Sequence, residues 1–415
     1  MLGVGSGGPL GPLRTADPIL RAARSGPAEP CHLAEERQAW VVLATVDGVG
    51  DRTLAGLVAT HGSARRALWL AARGRLGRGL VAAVDQPRAA IPTATLAGIE
   101  AAARDPGQRL ASLVAAGVWT VTLLDPDYPR RLETLDAPPA VLFGQGDVRA
   151  VGAARAVAIV GTRRASPAGR FEASRAAAGL ASRGVTIVSG LAVGIDGAAH
   201  AAALEASGTT VAAIGSGHAR PGPAAHRWLV RRILERGALI GELPPAAHAT
   251  RGTYPRRNRL IVALADAVLV VEAPARSGAL ITAHLAMEQS VPLYVAPGPE
   301  RSALSEGCRS LLEEGSARPF AGVDAFCADL GWTSREGAAR DGGVSALTIL
   351  SLGGAEREVA RVLSHGPVTM DELLGATRAA PGEVAAILTL LQLRGLARVM
   401  GPLYLPAGPL LTGTP

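Results

Sequence analysis

The chain has 415 residues, and its hydrophobic fraction of 48% with only 3% aromatics points to close-packed helices on a sheet, which excludes a disordered chain. Lysine is absent, and 42 basic residues against 35 acidic ones give a formal charge of +7, so every fixed cation is an arginine and a polyanion is a natural partner. No uninterrupted apolar run of ~18 residues occurs, which excludes a helical membrane span, and Cys31, Cys308 and Cys327 form no Cys-x-x-Cys pair, so neither a disulfide framework nor a zinc site is indicated and a reducing cytosol fits.

In chain order, residues 1–34 are rich in Gly, Pro and Ala and read as a flexible tail without a signal-peptide core. Residues 35–117 alternate Ala- and Leu-rich helical stretches with Gly turns. The turn Val46-Asp47-Gly48-Val49-Gly50 has the form of a helix-hairpin-helix, which can hold a phosphate, and equally of an ordinary helix–helix turn. Residues 118–320 open with a short strand, the turn Asp125-Pro126-Asp127-Tyr128-Pro129 and a lead-in strand, and then alternate apolar strands with helices. The strands are expected at Ala156–Val160, Val185–Ser189, Thr209–Ile214, Ala238–Ile240, Ala267–Val271 and Pro292–Ala296. That alternation predicts an α/β class, a Rossmann-like doubly wound and mostly parallel sheet. Residues 321–354 read as a linker, 355–408 as a winged helix and 409–415 as a tail.

Candidate ligand-binding residues fall at strand ends, where parallel α/β sheets bind ligands. The first strand runs into Gly161-Thr162-Arg163, with a helix start near Pro167. The dinucleotide fingerprint is incomplete there, and Arg163 suits a nucleic-acid phosphate better than a pyrophosphate. The second strand runs into Ser189-Gly190-Leu191-Ala192-Val193-Gly194, followed by Asp196 and His200. These two are four residues apart on a helix and are expected to bond each other structurally rather than to form a catalytic pair. The densest signal is Tyr254-Pro255-Arg256-Arg257-Asn258-Arg259 before a helical run at Leu260–Leu264. An aromatic beside three arginines combines base stacking with phosphate contact. Ser277-Gly278 opens a further anion-binding turn.

Read together, Ile159–Arg163, Ser189–Asp196 with Ala199-His200, Tyr254–Arg259, Ser277–Ala283 and Pro297-Gly298 resemble the DNA-processing protein A (DprA/Smf) family. The resemblance extends to the helix-hairpin-helix-like N-terminal domain, Asp127-Tyr128-Pro129 and the winged helix. It implies a cytoplasmic protein that binds and protects single-stranded DNA, helps to load the RecA recombinase in natural transformation and acts as a homodimer. It implies no catalysis, cofactor, metal or membrane partner. By the same carry-over Arg163 contacts phosphate, Tyr254 stacks, Arg257 and Arg259 line the groove, and Ser277 and Gly278 give backbone donors. The chain departs from the family at Gly222-Pro223 (usually Tyr-Pro), at Gly241-Glu242 (usually Ser-Glu) and at Cys308-Arg309, where an Asn is usual. The competing reading is a nucleotide-processing enzyme like the Rossmann-type phosphoribohydrolases, whose Pro-Gly-Gly-x-Gly-Thr loop is missing here.

Overall fold

A computed structural model describes residues 30–79, 90–250, 252–299, 302–332, 352–377, 379–407 and 410. The expected tail is outside the described residues over 1–29, as are 333–351 of the expected linker and most of 409–415. The chain divides into two compact units, one of residues 1–145 with 216–220 and 241–249, the other of the remainder.

The first unit holds five helices, α1 (Pro30–Ala44), α2 (Asp51–His61), α3 (Ala64–Ala71), α4 (Thr93–Arg104) and α5 (Pro106–Ala115), and the antiparallel pair β1 (Trp119–Thr122) and β2 (Val141–Gly146). The first helix begins at Pro30, so residues 30–34 are helical rather than tail. Proline is tolerated at that first helical position. Buried Trp40 and Glu36 fix the bundle: the Trp40 Nε1–H donates to Glu36 Oε1 at 3.0 Å, and the same carboxylate accepts the Ala64 and Arg65 N–H groups that open α3. In the α1–α2 turn Gly48 takes φ 84, where a Cβ would run into Thr95. Asp51 stands at the start of α2 and its carboxylate accepts the Ala140 N–H. A carboxylate at that helix start opposes a phosphate there, which favours the ordinary-turn reading. The lead-in segment around Tyr128 falls in this unit. Tyr128 is buried and donates to the Pro139 carbonyl.

The second unit contains seven parallel strands, β3 (Ala156–Val160), β4 (Thr186–Ser189), β5 (Thr210–Ala213), β6 (Ala238–Gly241), β7 (Ala267–Val270), β8 (Leu293–Val295) and β9 (Arg318–Pro319), in the spatial order β6-β5-β4-β3-β7-β8-β9. Each expected strand agrees with an observed one to within a residue at either end. The helices between them are α6 (Pro167–Ala181), α7 (Ile195–Glu205), α8 (Arg227–Arg236), α9 (Thr253–Ala263), α10 (Gly278–Glu288) and α11 (Glu306–Glu313). Val157, Ile159, Ala267 and Leu269 face a core with Ala-rich α6 and α7, and the alternate residues Ala158, Val160, Val268 and Val270 are buried as well. Burial on both faces is why these strands read as unbroken apolar runs. Small alanines let α6 and α7 approach the sheet closely.

The expected linker starts too early. Residues 323–329 form a helix, α12 (Val323–Asp329), whose Val323, Phe326 and Cys327 join the sheet core, with Phe326 edge-on to Tyr294 at 4.6 Å. The winged helix comprises α13 (Gly354–Ser364), α14 (Met370–Ala376), α15 (Pro381–Leu393) and the three-stranded order β10 (Val368–Thr369), β12 (Leu403–Pro406), β11 (Ala397–Met400), around a core that includes Val359, Leu363, Leu373, Leu388 and Leu391. No described helix is long and apolar enough to cross a membrane.

Candidate nucleic-acid interface

Strand order locates the site. From β3 the chain winds one way through β4, β5 and β6, then returns to lay β7 on the other side of β3. Connections leaving β3 and β7 therefore diverge, opening a crevice at the carboxyl edge of the sheet. The turns expected to bind anions, after β3, β4 and β7, all leave from this edge.

The turn after β3 is held from beneath. Buried Glu272, at the end of β7, accepts from the Ser166 N–H at 2.8 Å and the Ser166 hydroxyl at 2.7 Å, while its carbonyl takes the Thr162 N–H at 2.7 Å. Ser166 in turn caps α6 by accepting the Gly169 N–H. Thr162 is buried and its hydroxyl accepts the Arg164 N–H. Gly161 has Ile195 and the Glu272 carbonyl against its Cα, leaving no room for a Cβ. With its neighbours tied inward, Arg163 is left exposed.

The turn after β4 is organised by Asp196. This buried carboxylate accepts the N–H groups of Gly190 (3.1 Å) and Ala192 (3.4 Å). The expected Asp196–His200 bond is therefore not made. His200 Nδ1–H instead donates to Thr210 Oγ1 at 2.6 Å, since the Thr210 hydroxyl proton is committed to the Ile187 carbonyl. Gly194, at φ 90, passes so close to the Thr162 carbonyl that no side chain fits, and this welds the second turn to the first. Ser189 differs from expectation: it is fully buried and its hydroxyl donates to the Ile159 carbonyl, so it supports the edge without reaching a ligand.

Tyr254–Arg259 is also corrected. The segment is no loop but the first two turns of α9, with Pro255 inside the first turn, where a missing N–H costs nothing. Helical rotation sends the adjacent arginines different ways. Arg256 is exposed and Asn258 and Arg259 are half-buried, whereas Arg257 is buried, donating from Nη1 to the Ala213 carbonyl at 2.9 Å. Its guanidinium lies on Gly190, where a Cβ would coincide with Nη1. The expectation that Arg257 lines the groove is thus overturned, because the group is desolvated under the turn. Burial lowers its pKa, and the Asp196 charge acts against that. Burial likewise raises the Asp196 pKa, and Arg257 with the backbone donors acts against it. The two charges form a buried couple that supports the interface from within.

On the surface the residues converge. The Arg163 guanidinium lies over the Tyr254 ring, 5.3 Å from its centroid, and Tyr254 keeps 38% of its surface exposed. Helix α9 packs on α10, which the expected Ser277 caps and the expected Gly278 begins. The Ser277 hydroxyl is occupied in capping, accepting the Ala279 N–H, while Gly278 has open space around its Cα. Sequence reasoning missed Glu272, Asp196 as the acceptor that organises the turn after β4, and exposed Arg164 and Arg276. The two arginines were open to discovery from their place beside the named turns. Cys308 is buried with its thiol pushed up to about 11 by desolvation, an inert packing residue.

An open doubly wound sheet whose switch-point edge presents backbone turns, exposed arginines and a half-exposed tyrosine places this chain among the open-sheet α/β proteins. The comparisons with known proteins make that class specific. The model of the DNA recombination-mediator protein A family matches residues 119–331, and the DprA winged helix domain matches residues 345–401. This chain belongs to the DNA recombination-mediator protein A family. It is 41% identical over 263 residues to a putative DNA processing protein DprA of Mycobacterium tuberculosis, covering 62% of this chain and 66% of that one. It is 33% identical over 217 residues to DNA processing protein DprA of Bacillus subtilis, covering 52% and 73%. The X-ray structure of DprA from Streptococcus pneumoniae superimposes with TM-score 0.57 at 27% identity, covering 71% of this chain and 97% of that one. The chain thus spans just under two thirds of the length of its mycobacterial relative.

Proposed function

We propose that this chain is a non-catalytic single-stranded DNA-binding protein that protects the strand in the cytoplasm and, as a homodimer, hands it to the RecA recombinase during transformation and recombination. The observation that carries the reading is the exposed Arg163–Tyr254 pair at the carboxyl edge of the sheet. Phosphate contact by arginine together with base stacking on an aromatic suits an unpaired strand, and stacking is sequence-tolerant. Membership of a recombination-mediator family supports the DNA partner. Delivery to RecA and dimerisation rest on that membership alone. The nucleotide-enzyme reading is disfavoured because Asp196 and His200 are buried and engaged in structural bonds.

The test is fluorescence anisotropy of a labelled single-stranded oligonucleotide across a salt series, with duplex DNA and mononucleotides as competitors. Arg163→Ala is expected to weaken binding alike for all sequences and to flatten the log–log salt slope by ~0.7, one phosphate's worth. Tyr254→Ala is expected to lose about tenfold with the slope unchanged, as stacking carries no counterion release. Binding or turnover of mononucleotides without strand binding would return the enzyme reading.

The winged helix is not needed for this contact. Its helix α15 contains no arginine, carries Glu383 in its first turn and exposes Leu390 and Leu393. Removing residues 352–415 is expected to leave single-strand affinity within about twofold, since phosphate contacts dominate affinity. Loss of all binding would instead place the DNA contact in the winged helix.

A further inference from the structure

Helix α8 carries an aromatic and cationic face that the interface described above does not use. Leu229 and Ile233 are fully buried in a core with Leu191, Leu204, Ala212 and Leu239. Residues 227, 228 and 231 therefore point away from the sheet. Arg227 and Arg231 are exposed, and Trp228 leaves 50% of its surface to solvent, the largest aromatic exposed in this unit. An indole on a surface helix turn, one helical turn from Arg231, is a stacking plane beside a fixed positive charge. Glu235 is the single acid on a helix with four arginines.

Position connects this face to the candidate interface. Because β5 and β6 are parallel, α8 must begin at the carboxyl edge of the sheet and run back, so its first turn lies on the edge that carries the turns after β3 and β4. The two are directly bonded. His226, the residue before α8, donates from Nδ1–H to the Leu191 carbonyl at 3.1 Å, within the turn after β4. The Leu191 side chain covers Gly222, and Gly197 of α7 leaves no room for a Cβ against the His226 ring. Leu191 itself is held at φ 59, an uncommon conformation for a branched residue, so this junction is locked rather than loose.

We propose that Trp228, with Arg227 and Arg231, is a second contact for the same single strand, stacking a base beyond the nucleotides held at Arg163 and Tyr254 and extending the track along the sheet edge past the turn after β4. The inference rests on the proposed single-strand reading of the main site. Charge complementarity with the phosphates and continuity with the turn after β4 both favour a nucleic-acid strand over a protein as occupant.

The test measures anisotropy for labelled oligothymidylates of about 4 to about 16 nucleotides against the full chain, Trp228→Ala, Trp228→Phe and Arg231→Ala. The wild-type chain gains affinity with length. Trp228→Ala is expected to bind the shortest strands like wild type and to lose about tenfold on the longest, with Trp228→Phe recovering most of the loss. Arg231→Ala is expected to reduce the salt slope by ~0.7 for long strands alone. Wild-type affinity of Trp228→Ala at every length overturns the second contact and leaves the main site standing, and would make a protein partner the better occupant of this face. Failure of the wild-type chain to bind any strand overturns both readings.

Discussion

Replacing Arg257 by Met is expected to cost about 3–5 kcal/mol of folding stability, the penalty for leaving a buried charge without its counter-charge. The neighbouring Arg256→Ala should cost little, because Arg256 is exposed. The contrast follows from burial. Arg257 is 6% exposed and Asp196 is also 6% exposed. With the guanidinium gone, Asp196 keeps only backbone N–H donors, and its carboxyl moves further up toward protonation. The Asp196→Asn, Arg257→Met double variant should recover part of the loss, since both buried charges leave together. Urea unfolding of the four proteins completes the cycle. If Arg257→Met unfolds like wild type and loses strand binding instead, Arg257 is a direct DNA contact after all.

The second large effect is on acid stability. His200 is completely buried, and desolvation, followed by the positive charges of His226 and Arg257, lowers its pKa from 6.5 to about 3. The folded state therefore refuses a proton that the unfolded chain accepts. Stability from neutral His200 is intact above about 6.5 and is lost as pH falls toward 3, at ~1.4 kcal/mol per pH unit, or about 3 kcal/mol by pH 4.5. Asp196 works in the opposite sense, because burial raises its pKa and the folded state holds its proton more tightly there. The comparison that isolates His200 is His200→Gln, whose amide can still donate to Thr210. Between pH 6 and 4.5 the variant's unfolding free energy should fall less steeply by ~1.4 kcal/mol per unit. Equal slopes would mean that His200 is charged in the folded protein.

Much of the sheet was legible in one dimension. Ala156–Val160 and Ala267–Val270 are apolar at every position because both faces are covered, and Ser166-Pro167 announces a helix start by an oxygen cap and a proline at the first turn. The misreadings have physical causes. Pro255 reads as a turn residue, yet a proline within the first helical turn interrupts no hydrogen bond, so α9 begins before it. Val323, Phe326 and Cys327 repeat at helical spacing, but α12 has only seven residues and the Gly- and Ser-rich stretch after it obscured the signal.

The candidate site divides along the same line. Sequence by itself determined that glycine-bearing turns, arginines and one tyrosine follow the strands, and parallel winding then requires those turns to share one edge. It also determined the family, through residues that recur as short motifs. Only the tertiary structure decided which arginine serves the surface. Each residue of a helix is rotated by about 100° from the last, so Arg256 and Arg257 part company once long-range packing sets how α9 turns against β5. Partnerships across the chain were likewise invisible: Glu272 meets Ser166 from 106 residues away, and His226 meets the Leu191 carbonyl from 35 residues away. Local sequence encodes the chemistry of a side chain, whereas its burial and partners come from the order in which strands pair.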